Sequence, residues 1–198
     1  MLVGTQMVTK GHDLPGVTLV GVLLADQSLA FPDFRSAERT FQLLTQVAGR
    51  AGRGVREGRV IFQTFQPNEP AIACAVRHDY LAFTRDELGK RKELGYAPFG
   101  RLVAVRVDAP DETLAEEIAS RLAGAARDSR PCIEGAIEVL GPAPALIARV
   151  RGRHRQRVLL KGADRKPLRQ AALAVLGAIE RGIAPARARI DVDPISML

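Results

Sequence analysis

Residues 101–128, RLVAVRVDAPDETLAEEIASRLAGAARD, change their hydrophobic period within one stretch. Leu102 or Val103 alternates with Val105 and Val107, as in a strand. From 111 to 128 the apolar residues recur at helical spacing behind an acidic first turn of Asp111 and Glu112. Reading toward the carboxyl end, residues 137–140 and 155–161 are predicted strands, 164–181 a second helix and 187–192 the last strand. The predicted order is βαββαβ, the split arrangement of ferredoxin-like α+β folds.

Reading in the other direction, residues 95–100, GYAPFG, hold the glycine and proline punctuation of a domain boundary, and 69–94 read as a polar connecting helix. Residues 17–24 form a valine-rich aliphatic run too short for a typical helix, which suits a strand covered on both faces. Ser36 is a candidate N-cap of a helix running to Gly49. Arg39 stands where a capping box needs Glu, but Phe41, Leu44 and Val47 keep helical spacing. Residues 58–65 are a second strand, closed by Gln66, Pro67 and Asn68. Strand, helix, strand predicts a parallel α/β unit over 1–68, followed by the connector 69–94 and the domain 95–198.

At 198 residues the chain is long enough to bury a core, and 46% hydrophobic with 26% charged residues is a globular composition. The longest apolar run falls far short of the roughly 20 residues of a membrane span. The first residues lack the pattern of a secretory signal. Two cysteines, Cys74 and Cys132, leave no disulfide framework and no four-cysteine zinc site, so a reducing cytoplasm is expected. Histidines at 12, 78 and 154 form no cluster for a metal or a triad. The net charge of +7 favours polyanionic partners. Residues 146–170 hold nine basic side chains against one acid, Asp164.

The segment 46–53, QVAGRAGR, sets Arg50 and Arg53 among small residues at a helix end. Two planar guanidinium groups three residues apart can converge on one phosphate, the geometry of an arginine finger. A helix C-cap at Gly49 or Gly52, with arginines at the negative helix end, produces the same pattern. Residues 4–13, GTQMVTKGHD, have the composition of a loop that binds a phosphodiester through Thr5, Thr9 and Lys10 and a ribose through Asp13. A solvated polar loop would look alike. Arg149, Arg151, Arg153, Arg155 and Arg157 occupy every second position, so one strand or ribbon would carry them on a single face that fits a DNA backbone; a solvated charged face is the alternative. No GxxxxGK[ST] loop occurs, so the chain has no phosphate-cradling loop of that kind.

Together these blocks decide more than any one of them. GTQMVTKGHDLPGVTLVGVLLAD and FRSAERTFQLLTQVAGRAGRG, then GRVIFQTFQP, ELGYAPFGRL, VLGPAPA, RGRHRQRVLLKG and DVDPISML, resemble the end of the PriA-type family of superfamily 2 DNA helicases, in the family's order and over essentially the whole chain. The resemblance implies the last part of a RecA-like second motor lobe followed by a ferredoxin-like domain. It implies that Thr5, Thr9 and Lys10 touch single-stranded DNA, that Gly11 and Asp13 face the nucleotide, and that Arg50 and Arg53, positioned by Gln46, reach the ATP γ-phosphate. Guanidinium groups supplied there stabilise charge on the transferred phosphoryl group.

It further implies forked and single-stranded DNA, single-strand DNA-binding protein and primosome proteins as partners, with Arg149, Arg151, Arg153, Arg155, Arg157 and Lys161 on the DNA, and no membrane partner. The setting is the bacterial cytoplasm, at the nucleoid. Where family members often have aromatic residues near the basic ribbon, His154 and Gln156 stand here.

Family members carry the phosphate-binding loop, its Mg2+-binding acidic box and two cysteine-bound zinc ions upstream of residue 4. None of these is present, so the resemblance implies a carboxyl-terminal fragment whose Met1 is an artificial or misassigned start. ATP, Mg2+ and zinc would belong to the longer protein, and residues 1–198 alone are expected to lack ATPase and helicase activity. The rival is a stand-alone nucleic-acid-binding module without catalysis. An in-frame GKT-type loop and paired CxxC motifs upstream would distinguish the helicase from it.

Overall fold

The computed structural model describes residues 1–5, 17–49, 51 and 57–197. It is a mixed α/β structure in two compact units, Met1–Gly89 and Lys90–Leu198.

In the first unit, β1 (Leu19–Val22) pairs in parallel with β2 (Arg59–Phe62), Leu19 opposite Arg59 and Val22 opposite Phe62, and α1 (Ser36–Ala48) lies between them in sequence. The predicted strand, helix, strand order is therefore present as a parallel pair. Coverage of the first strand on both faces is not. Leu19, Leu23 and Ile61 are 60%, 79% and 53% exposed, because the described residues supply only two strands, with Val22 and Phe62 packed on the helical cluster. That cluster joins Phe41 and Leu44 of α1 to Ile72 and Cys74 of α2 (Pro70–Val76) and Phe83 of α3 (Tyr80–Glu93). The Phe41 and Phe83 rings stack 4.2 Å apart.

Two local expectations are corrected here. Ser36 is not the N-cap of α1: Arg35 occupies that place without a side-chain cap, and the Ser36 hydroxyl donates to the Phe31 carbonyl. Asp33 organises this turn instead, accepting from the Arg35 N–H and from Arg39 Nη1. The connector is two helices rather than one. The chain breaks at His78, which has φ 53°, and Asp79 restarts it by accepting the Ala82 N–H through its carboxylate, as an N-cap does.

The second unit follows the predicted order closely. The strand β3 (Arg101–Ala109), the helix α4 (Glu112–Arg127), a short turn of helix α5 (Arg130–Ile133), the strands β4 (Ile137–Val150) and β5 (Arg153–Gly162), the helix α6 (Arg165–Glu180) and the strand β6 (Arg187–Val192) build one antiparallel sheet. Its strand order is β4-β5-β3-β6. One face packs on α4 and α6 through Val103, Val105, Val107, Val158 and Leu160, against Leu122 and the alanines 115, 119 and 123 of α4 and against Leu168 and Val175 of α6. Alanine on the buried stripe lets helix and sheet approach closely, and close packing raises the dispersion contacts made per buried atom.

The strand β4 runs ten residues beyond the predicted 137–140. Gly141, Pro142 and Pro144 read as turn signals in the sequence, yet β4 is an edge strand, where proline is tolerated, and register shifts accommodate the irregularity after Leu140 and after Pro144.

Candidate nucleic-acid interface

The nucleotide-facing and motor-lobe residues are mostly out of view. Thr9, Lys10, Gly11, Asp13, Arg50 and Arg53 lie outside the described residues. Thr5 is exposed, and Gln46 is exposed on the last turn of α1. Gly49 does follow α1 as its C-cap, but at φ −68°, so the left-handed freedom of glycine is not what ends this helix.

The basic run is fully described, and it is not one face. Val150 pairs with Arg153, so Arg151 and Gly152 alone form the hairpin turn, both with positive φ (49° and 77°) as a type I′ turn demands. The chain reverses there and the period-two phase of the run is lost. Arg149 lies on β4 opposite His154, and cross-strand partners share a face, so Arg149 falls on the face opposite to that of Arg153, Arg155 and Arg157.

The arginines of β5 are also engaged within the domain. Arg153 Nη2 donates to the Asp108 and Pro185 carbonyls, each at 2.9 Å. Arg155 Nε lies 3.1 Å from Asp108 Oδ1, and Arg157 Nη1 donates to the Met197 carbonyl at 3.1 Å. Lys161 Nζ is 2.7 Å from Glu138 Oε2, donates to the Leu94 carbonyl and stands 5.6 Å from the centroid of the Tyr96 ring. Four of the six DNA contacts predicted in the basic run thus hold the sheet together, while Arg149 and Arg151 are exposed at the turn.

Three basic residues that the run did not include share the sheet face turned away from the helices. Arg106 pairs with Arg157 on one side and Arg189 on the other, and Arg187 pairs with Asp108 one row along. Their signal was present as alternation in RLVAVRV and RARIDV, but it takes the strand order to bring β6 beside β3. The charge is unevenly divided: Met1–Gly89 holds nine basic and nine acidic residues, whereas Lys90–Leu198 holds 20 basic and 13 acidic. The whole excess of +7 therefore lies in the second unit. Among the described residues no group of three or more His, Cys, Asp or Glu could hold a metal ion, and no helix is long and apolar enough to cross a membrane.

Residues 92–195 match the family described as the primosomal protein N C-terminal domain. Over its whole length the chain is 43% identical to a protein of Synechocystis named replication restart protein PriA, covering 23% of that protein. The Bacillus subtilis protein of the same name is 41% identical over 98% of this chain, with 24% of its own length covered. That of Treponema pallidum is 39% identical over all of this chain and 30% of its own length. The chain spans about a quarter of the length of these curated relatives.

Proposed function

This chain belongs to the family of replication restart protein PriA and carries its primosomal protein N C-terminal domain, and from that premise we propose that it serves as the carboxyl-terminal part of an ATP-dependent 3′-to-5′ DNA helicase that recognises stalled forks and restarts replication. In this reading the first unit is the end of a RecA-like lobe. Thr5, Thr9 and Lys10 couple DNA to the nucleotide, Gly11 and Asp13 face the sugar, and Arg50, Arg53 and Gln46 act on the γ-phosphate. The nucleotide, Mg2+ and the zinc ions are held by sequence outside this chain. The second unit is a ferredoxin-like domain that supplies fork affinity and a docking surface for single-strand DNA-binding protein and primosome proteins.

One observation carries the nucleic-acid part: the unit holding all of the net positive charge turns its β4–β5 hairpin at the exposed arginines Arg149 and Arg151. A tip of that kind places charge against a phosphate backbone without unfolding the sheet beneath it. Phosphate contacts of this sort set affinity and orientation, and preference for a fork comes from the shape they must span.

The reading is tested by titrating the 198-residue chain against a labelled forked duplex and a matched linear duplex over a salt series, with ATP hydrolysis followed in the same sample. Tighter binding to the fork, weakening with salt, without hydrolysis is the expected result. A folded sample that binds neither duplex at low salt would overturn the DNA-binding role of the second unit, and hydrolysis would overturn the division of labour with upstream sequence.

A further inference from the structure

The face of the sheet turned from α4 and α6 carries a transverse row of three arginines. Arg106 on β3 has Arg157 and Arg189 as its direct partners on β5 and β6, and alternation turns all three away from Val105 and Val107 of the core. Like charges set opposite one another cost a sheet stability, and this cost is carried here by three guanidinium groups on one row. The carboxyl-terminal segment returns over it. After β6 the chain turns at Asp193, φ 50°, whose N–H donates to the Leu102 carbonyl and whose carboxylate meets Arg101 Nη1 at 3.2 Å. Pro194 and Met197 are buried, and the Met197 carbonyl accepts from Arg157. Leu102 and Leu159, which share the arginines' face, are only 2% and 9% exposed although they stand outside the main core cluster. A second, thin layer therefore covers this side of the sheet.

We propose that Arg106, Arg157 and Arg189 form a binding row for the phosphodiester backbone of a single strand of nucleic acid, and that residues 194–197 are its displaceable cover. The inference rests on the nucleic-acid reading above and adds to it a place and a control. Arg157 is held by a single neutral carbonyl, whereas a phosphate carries a full negative charge and matches the guanidinium fork with two parallel bonds. Three strands set ~4.8 Å apart place the arginines over roughly 10 Å, the scale on which consecutive phosphates of one strand follow each other. A flat sheet face admits an unpaired strand, and the tail has to leave Arg157 for that strand to lie down.

The test is binding of a labelled oligothymidylate to the full chain and to a chain lacking residues 194–198, over a salt series, with folding checked by circular dichroism. The shortened chain should bind roughly three- to tenfold tighter, with a log–log salt slope steeper by about one, as one more phosphate is neutralised. Arg157→Gln or Arg189→Gln in the shortened chain should cancel that gain. If the shortened chain does not fold, Met197→Gly takes its place, keeping the chain length and removing the buried anchor, and should shift affinity in the same direction. Equal affinity of covered and uncovered chains, or a gain that survives Arg157→Gln, overturns the inference. Absence of binding by every form at low salt removes the nucleic-acid reading itself, and the inference with it.

Discussion

Arg155 Nε stands 3.1 Å from Asp108 Oδ1, directly across the pairing of β3 with β5, with only 12% and 23% of the two side chains exposed. The carbonyl of the same aspartate receives Arg153. Asp108 thereby holds two members of the basic run in place. Asp108→Ala should leave a largely buried guanidinium without its carboxylate and lower the stability of the second unit by about 1–3 kcal/mol. Urea unfolding followed by circular dichroism measures this. A change under about 0.5 kcal/mol would mean that the pair behaves as an exposed one.

The same geometry separates stability from binding among the arginines. Arg149→Glu with Arg151→Glu, at the exposed turn, should weaken DNA binding and reduce the log–log salt slope by about two, since two phosphate contacts are lost, with little change in melting temperature. Arg153→Glu with Arg155→Glu should instead lower the melting temperature, because both side chains serve the sheet. An unaltered salt slope in the first variant would place the DNA elsewhere on the unit.

Where the sequence was legible, local periodicity and tertiary packing agreed. Val103, Val105 and Val107 face the core as their alternation predicts, and α4, α6 and β6 lie within a residue of their expected ends. Some misses arise where a partner distant in sequence overrides a local signal, and others where a local turn breaks the pattern. Gly141, Pro142 and Pro144 look like a loop until β5 supplies the ladder beside an edge strand. The five alternating arginines look like one face until Arg151 and Gly152 take up positive φ and reverse the chain. Arg106 and Arg189 are 83 residues apart in the chain and become neighbours only through the strand order. Of the motor-lobe site, Thr5 and Gln46 alone fall among the described residues.

The two long helices of the second unit begin on aspartates that are not equivalent. Asp111 Oδ1 accepts the Leu114 N–H at 2.8 Å, a true N-cap, whereas Asp164 caps α6 without a side-chain hydrogen bond. Asp111→Ala should therefore cost about 0.5–2 kcal/mol. Asp164→Ala should lose only its interaction with the helix dipole, about 0.3–1 kcal/mol. Parallel urea titrations decide it, and a larger loss at Asp164 would contradict the capping geometry.

Two glycines should respond to the same substitution with opposite sign. A Cβ on Gly100 would run into the Gly95 carbonyl oxygen and come within 2.8 Å of its carbon, in the turn that leads into β3. Both obstacles are backbone, so neither can rotate away, and the turn is itself tied by the Gly100 N–H to the Tyr96 carbonyl. Gly100→Ala should cost about 1–3 kcal/mol, the usual range for forcing an atom into occupied space. Gly89 sits within α3, where an added Cβ would meet nothing within 4 Å. There alanine removes conformational freedom from the unfolded chain at no steric cost, so Gly89→Ala should stabilise by about 0.5–1 kcal/mol. Thermal unfolding of the two variants beside the parent chain is the check. A Gly100→Ala chain as stable as the parent would show that the turn can open, and with it that the entry to β3 is not fixed by this contact.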